Sequence, residues 1–299
     1  MNSKGYPLQK ELLNEWGKRL IPEKEWFFFS EAVPGLELLD FASLGRFDIP
    51  LDIRTSYGTW SLHGDVKYYT IMSSEQFSTL PDTTQSAIIK EQWRMGRGLL
   101  FGLEELAELT GVSKRTLPCV MLDGVKISNL NIGVWNGFSE EVRHRFLMGY
   151  GAFWIDDNAF WDKHGDDFKS GITMTYPSLR NRIDRFSPMN GPNCLGAVAA
   201  AMTGELHYFD CWMQEREFLS IVGDQGYTEL TAGDYKGRDV LIWFNEEGGV
   251  IHSSFILDSL HAFNKHGQTM FNPWQIIRID ELIKKWDLPG CHYKQFRSI

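Results

Sequence analysis

Cysteine is scarce: the 299 residues hold four (Cys119, Cys194, Cys211 and Cys291), and no two stand at metal-ligand spacing. Paired-thiol zinc sites are thereby excluded, and so is a disulfide scaffold in a chain of this length, so free thiols are expected. Also missing is any uncharged apolar run of the roughly 18 residues that a membrane span requires. The opening Met-Asn-Ser-Lys-Gly-Tyr-Pro contains no apolar stretch of signal-peptide length. A soluble, cytoplasmic protein is the expectation, with no membrane partner. Positive charge is in deficit, with 30 Lys and Arg against 39 Asp and Glu and a formal net charge of −9. That balance speaks against nucleic acid as a partner, because phosphate backbones reward basic patches. The chain lacks a Gly-x-Ser-x-Gly elbow, a His-Glu-x-x-His pair, a P-loop and a dinucleotide glycine pattern. No cofactor and no metal are expected.

What is present is apolar mass. At 43% apolar and 14% aromatic residues, the chain can bury a sizeable core. The patterning predicts an α+β protein. Leu8 to Leu20 has helical spacing and is ended by Pro22. Trp26-Phe-Phe-Phe29 reads as core, and Ile53 to Ile71 as a strand pair broken at Gly58 and at His63-Gly64-Asp65. Asp82 to Leu109 reads as largely helical. Leu103 to Leu117 resembles a helix-turn-helix, with Gly111 at the turn and Ser113 capping a second helix, but Pro118 would stop that helix after about one turn. A plain structural helix pair is the expectation there. The acidic run Asp156-Asp157-Asn158 with Asp162, Asp166 and Asp167 lacks the alternation of a calcium loop and reads as a solvated loop. A boundary is placed near residue 170. Residues 1–170 form a mixed, mainly helical region of unknown role, and residues 171–299 the domain that carries chemistry.

Asn190-Gly-Pro-Asn-Cys194 leads into Leu195-Gly-Ala-Val-Ala-Ala-Ala-Met-Thr203, a helix of small and apolar residues that Gly204 terminates. Asn193 suits the N-cap, which puts Cys194 at the first helical position, where unsatisfied amides and the helix dipole favour thiolate. Gly237-Arg-Asp-Val-Leu-Ile-Trp-Phe244 reads as a buried strand, Val250 to Leu257 as a second strand carrying His252, and Leu260 to His266 as a third. A three-residue connection would pair Ile256 with Leu260 and His252 with Asn264. His252, Ser254, Ala262, Asn264 and His266 then share a face, with room for the helix that carries the thiol. A slip of one residue would put Lys265 opposite His252 instead. The group that orients His252 is Asn264 first, His266 second and His261 third. A metal site from His252, His261 and His266 has no acidic or thiol partner at a familiar spacing. The aromatics of Tyr208 to Trp212 either wall an acyl pocket or pack as core, and Trp274 is expected beneath the last helix, Asp280 to Trp286.

The cysteine at the start of a small-residue helix, the Gly-x-Asp-Val-Leu-Ile-Trp strand, and a histidine followed twelve positions on by a polar residue together resemble the NlpC-type papain-like cysteine peptidases and amidases. The resemblance covers about residues 176–286. It implies a nucleophile helix packed on an antiparallel sheet, with Cys194 as nucleophile, His252 as general base and Asn264 as the orienting group. Asp-Cys-Ser-Gly, usual in the family, is Asn193-Cys194-Leu195-Gly196 here. The family's tyrosine a dozen residues before the cysteine is replaced by Arg182, and Tyr176 is the nearest upstream tyrosine. The chemistry expected is acyl transfer through a thioester, with the Cys194 amide and Asn190 as oxyanion donors. The enzyme would be an amidase, peptidase or acyltransferase acting on a small peptide-like or natural-product substrate. The alternative is a non-catalytic papain-like domain that binds a ligand or partner.

Overall fold

Residues 2–45, 49–55, 65–155, 159–231 and 233–298 are described by a computed structural model. They divide into two compact units, residues 9–151 and residues 1–8 with 152–299. The division falls at 151/152 rather than near 170, because residue 170 lies inside the helix Asp166–Thr175, whose Ile172 is part of the second unit's core.

In the first unit the helix Lys10–Leu20 buries Leu13, Trp16, Gly17 and Leu20 on one face. The strand Lys24–Phe29 pairs antiparallel with Tyr68–Ser73. Strand alternation sends Phe27 and Phe29 into one cluster with Met72 and Ile88, and Phe28 into another with Tyr69. The expected strand pair over Ile53–Ile71 is realised only from Tyr68 onward, since Leu51–Thr55 is helical. Gly58 and His63-Gly64 lie outside the described residues. The expected continuous helix Asp82–Leu109 is interrupted. It stops at Arg94, and Gly96 (φ +61°) and Gly98 (φ +74°) turn the chain into the strand Leu100–Gly102 before a second helix, Leu103–Thr110. No recognition helix follows Gly111: Lys114–Thr116 is a single turn, and Val120–Leu122 is already a strand. That strand pairs with Val125–Asn129, which also pairs with Leu100–Gly102.

The second unit holds the residues of chemical interest. Its strands are β1 (Tyr227–Leu230), β2 (Val240–Phe244), β3 (Val250–Ile256), β4 (His261–Asn264), β5 (Gln275–Arg278) and β6 (His292–Ser298). They form a six-stranded antiparallel sheet in the order β5-β4-β3-β2-β6-β1. Its helices are α1 (Asp166–Thr175), α2 (Cys194–Thr203), α3 (Glu215–Asp224) and α4 (Ile279–Lys285). Val198, Ala199 and Ala200 of α2 pack on Val240, Ile242, Phe255 and Phe263. Leu282 of α4 and Trp286 pack on Leu241, Trp243, Ile256 and Ala262. Neighbouring residues of each strand thus serve opposite faces, one under α2 and one under α4. Trp274, expected beneath the last helix, shares parity with Ile276 and lies on the α2 side.

The β3–β4 register differs from the expected one by two residues: Phe255 faces Phe263 and Ile256 faces Ala262. The turn is longer than three residues because the Asp258 carboxylate accepts from the amides of Leu260 and His261, while Leu257 N donates to His261 O. An even shift keeps His252, Ser254, Ala262 and Asn264 together on one face, but that face lies under α4 rather than under α2. Of the acidic run, 156–158 fall outside the described residues, and Asp166 and Asp167 occupy the first turn of α1, where the helix dipole favours negative charge. Among the described residues no helix is long and apolar enough to cross a membrane.

Candidate functional site: a thiol at the start of a buried helix

The segment before α2 is tied down at each residue that matters. Gly191 N donates to Gln268 O at 2.8 Å, and Asn190 Oδ1 accepts from Met270 N at 2.9 Å, so the turn before the helix is clamped to the loop after β4. Asn193 caps α2 as expected: Oδ1 accepts from Gly196 N at 3.0 Å, and Nδ2 donates to Met213 O at 2.8 Å. Cys194 is therefore the first helical residue. A Cβ on Gly196 would meet Tyr208 O at 2.5 Å and Cys211 O at 3.2 Å, so glycine is what lets the 206–211 segment cross the helix here.

The backbone amides of Ser253, Leu195 and Cys194 bear on the Cys194 sulfur and favour its ionised form. Burial nevertheless outweighs these donors and pushes the thiol above its ordinary range. A helix end alone thus does not make the half-buried Cys194 a thiolate, because desolvation of the sulfur works against it. Of the expected oxyanion donors, Asn190 is held in place through Oδ1, which accepts from Met270 N, and the Cys194 amide stands at the start of α2.

His252 is fully buried on β3. Its Nε2–H donates to Asn264 Oδ1 at 2.8 Å, and that oxygen also accepts from Ser254 Oγ at 2.7 Å. Asn264 Nδ2 donates to His266 Nδ1 at 3.0 Å. This network assigns the His252 proton to Nε2 and leaves the lone pair on Nδ1, which is buried with no hydrogen-bond partner. The ring stacks on Trp286 with centroids 3.9 Å apart and meets Trp243 at 5.4 Å. Burial, and then the charge of His266, push its pKa well below the ordinary histidine value, against the pull of Asn264.

Of the three residues considered for orienting His252, Asn264 is in contact and His266 stands behind it. His261 is taken up by Asp258 at 3.0 Å and packs against Phe160 and Phe168. The thiol and the imidazole are not joined. The sulfur sits beside the amide of Ser253, the residue after His252, yet His252 belongs to the face under Trp286 and Cys194 packs against the α2-side core. Strand alternation is the reason: the residue that shares the helix face is Ser253. Tyr176 lies apart from both, its hydroxyl donating to Leu257 O at 2.7 Å. Phe209 is core, while Trp212 Nε1 donates to Gln268 Oε1 at 3.0 Å over the loop after β4.

One residue weighed only as a register error proves to be central. Lys265 is fully buried, with Nζ donating to Thr269 O at 3.0 Å and to Asn272 O, and lying 5.7 Å from the centre of the Trp274 ring. The available signal was parity, since Lys265 follows Phe263 by two on a strand whose odd positions face α2. Among the described residues no group of three or more His, Cys, Asp or Glu side chains is placed to hold a metal ion.

Fold and site together define an α+β unit with a thiol at the start of a buried helix and a histidine–asparagine pair on the adjoining antiparallel sheet. No protein-family model, curated protein or solved structure matches the chain.

Proposed function

We propose that residues 152–299 form a papain-like, NlpC-type domain that performs cysteine-dependent acyl transfer, as an amidase, peptidase or acyltransferase on a small peptide-like or natural-product substrate. The observation that carries this is the state of His252: Asn264 fixes the proton on Nε2, and the basic Nδ1 is left unpartnered one peptide unit from the amide that binds the thiol. A general base needs that combination of a defined tautomer and a free lone pair.

The proposed reaction requires a shift of the start of α2 relative to β3, since Sγ beside the Ser253 amide and Nδ1 on the Trp286 face meet only if the backbone between them moves. Nδ1 takes the thiol proton as sulfur attacks the substrate carbonyl, and the leaving amine or alcohol departs with that proton. Water or an amine then attacks the thioester, giving an acid or a new amide and returning a proton to sulfur. Trp286 and Asn264 keep water from the Nε2 side of the ring.

The burial that keeps sulfur and imidazole neutral and apart favours a second possibility, a non-catalytic ligand- or partner-binding domain. Intact-mass and peptide-level spectrometry after exposure to a panel of peptidyl thioesters and p-nitrophenyl esters separates the two. Acylation is expected on Cys194, faster than on the exposed Cys119, with turnover lost by at least about 100-fold in Cys194→Ala. Uniform labelling of all four thiols with no turnover would leave the binding domain standing.

A further inference from the structure

Lys265 is buried without a carboxylate. Its side chain is 0% exposed, and its polar contacts are two neutral carbonyl oxygens, those of Thr269 and Asn272. A buried ammonium held only by neutral acceptors lacks most of the compensation that a charge in low dielectric requires. Strand parity places it with Phe263 on the α2 side of the sheet, and its nitrogen lies over Trp274, a member of the core cluster against which Cys194 packs. Cys194, half-buried, packs against that same cluster, and the loop after β4 that holds Nζ is the one clamped to the turn before Cys194, through Gly191 N to Gln268 O and Met270 N to Asn190 Oδ1.

We propose that Lys265 is the counter-charge of the Cys194 thiolate, so that the two groups ionise together as thiolate and ammonium or stay neutral together as thiol and amine. In the exchange the S–H bond breaks, its electron pair remains on sulfur, and the neutral amine gains one proton at Nζ. Desolvation disfavours each charge alone, and the opposite charge of the other offsets that cost. The ionisable groups bearing on the pair agree with this. Burial depresses Lys265 to about 7, and the Cys194 charge is what raises it. Cys194 in turn is lowered by Lys265 in addition to its three amides. His252 and His266 lie on the opposite face, with Asn264 between them, and Arg182 lies over the Trp274 ring at 5.0 Å. Lys265 acts on the resting sulfur as a positioning charge, and the proton it holds at Nζ is the thiol proton that the reaction above passes by way of His252 Nδ1 to the leaving group.

The pairing rests on the nucleophile role proposed above for Cys194, but its test needs no turnover. The rate at which iodoacetamide alkylates Cys194, followed on the full chain by peptide-resolved mass spectrometry across pH, reports the thiol's own titration. Lys265→Met is expected to move that profile upward by at least one pH unit, about tenfold slower alkylation near neutrality, while Lys265→Arg retains most of the wild-type rate. An unmoved profile in a folded Lys265→Met protein overturns the pairing. Should that variant fail to fold, the ε-carbon of Lys265 is titrated by NMR in wild type and in Cys194→Ser. Loss of the thiolate should lower the lysine's pKa, and identical titrations overturn the proposal. Absence of any acyl adduct on Cys194 would instead sink the enzymatic function and leave the pairing intact.

Discussion

At the scale of single residues, His252 carries an unusual electrostatic load. Its imidazole is enclosed by Trp243, Trp286 and Asn264, with His266 adding positive charge from behind the amide. All but the Asn264 hydrogen bond oppose protonation. The ring should therefore stay neutral well below the ordinary histidine range, and its Hε1 resonance should not move between about pH 8 and pH 6. Asn264→Asp places a carboxylate where the amide oxygen stands. It should draw the titration back into that interval, because an opposite charge in contact favours imidazolium. A wild-type resonance that titrates near its ordinary value would show that water reaches Nδ1. Asn264→Ala tests a different property. It leaves Nε2–H only the long contact to Ser254 Oγ at 3.4 Å and takes the acceptor from that hydroxyl, at a cost of about 1–3 kcal/mol in denaturant unfolding.

At the scale of elements, α2 depends on its first turn and on one close crossing. Asn193→Ala removes both the cap to Gly196 and the donor to Met213, and about 1–2 kcal/mol of stability should go with them. Gly196→Ala drives a methyl into two carbonyl oxygens that belong to backbone, which should cost about 3 kcal/mol or more, with Cys194 alkylation accelerating as the helix end loosens. Denaturant titration of both variants checks the order. The helix start, its cap and its glycine stop were legible in the sequence because they are local: Asn193, Cys194 and Gly204 need only their neighbours to be understood. The face of the β3–β4 hairpin was legible too, since an error of two residues preserves parity. What could not be seen was which face α2 covers. His252 and Ser253 are equally strand-like, and packing far along the chain decides that Ser253 meets the helix while Trp286 claims His252. Lys265 was hidden for the same reason, since a lysine in a strand reads as solvent-facing until its neighbours are known. In the first unit, Gly96 and Gly98 ended a helix that the apolar pattern alone carried through.

At the scale of the whole molecule, the buried Lys265 and the half-buried Glu25 make stability respond to pH in opposite senses, one in each unit. Lys265 has a folded pKa depressed to about 7 from 10.5. Between these values the unfolded chain binds the proton that the folded chain has released, so stability rises with pH. Above pH 9 the raised Cys194 thiol works against this rise, since the unfolded thiol ionises there first, and the clean window is pH 7 to 9. Glu25, in the unit of residues 9–151, is raised to about 7 from 4.5 by burial, against the amide of Asn129. There the folded chain keeps the proton that the unfolded chain has lost, and stability falls as pH climbs from about 4.5 to 7. Variant-minus-wild-type differences isolate each effect from the remaining titrations. Glu25→Gln keeps the hydrogen bond to Asn129 and should be neutral at pH 4, gaining on wild type by about 1–2 kcal/mol by pH 7. Lys265→Met carries a constant cost for its two lost carbonyl bonds. That cost leaves the slope untouched, and across pH 7 to 9 the variant should lose ground by up to about 1.4 kcal/mol per pH unit as wild type gains. Urea unfolding at half-unit steps of pH resolves both. A flat difference for Lys265→Met would mean that the lysine stays charged inside the fold throughout, and the neutral amine that the Cys194 pairing requires would not exist.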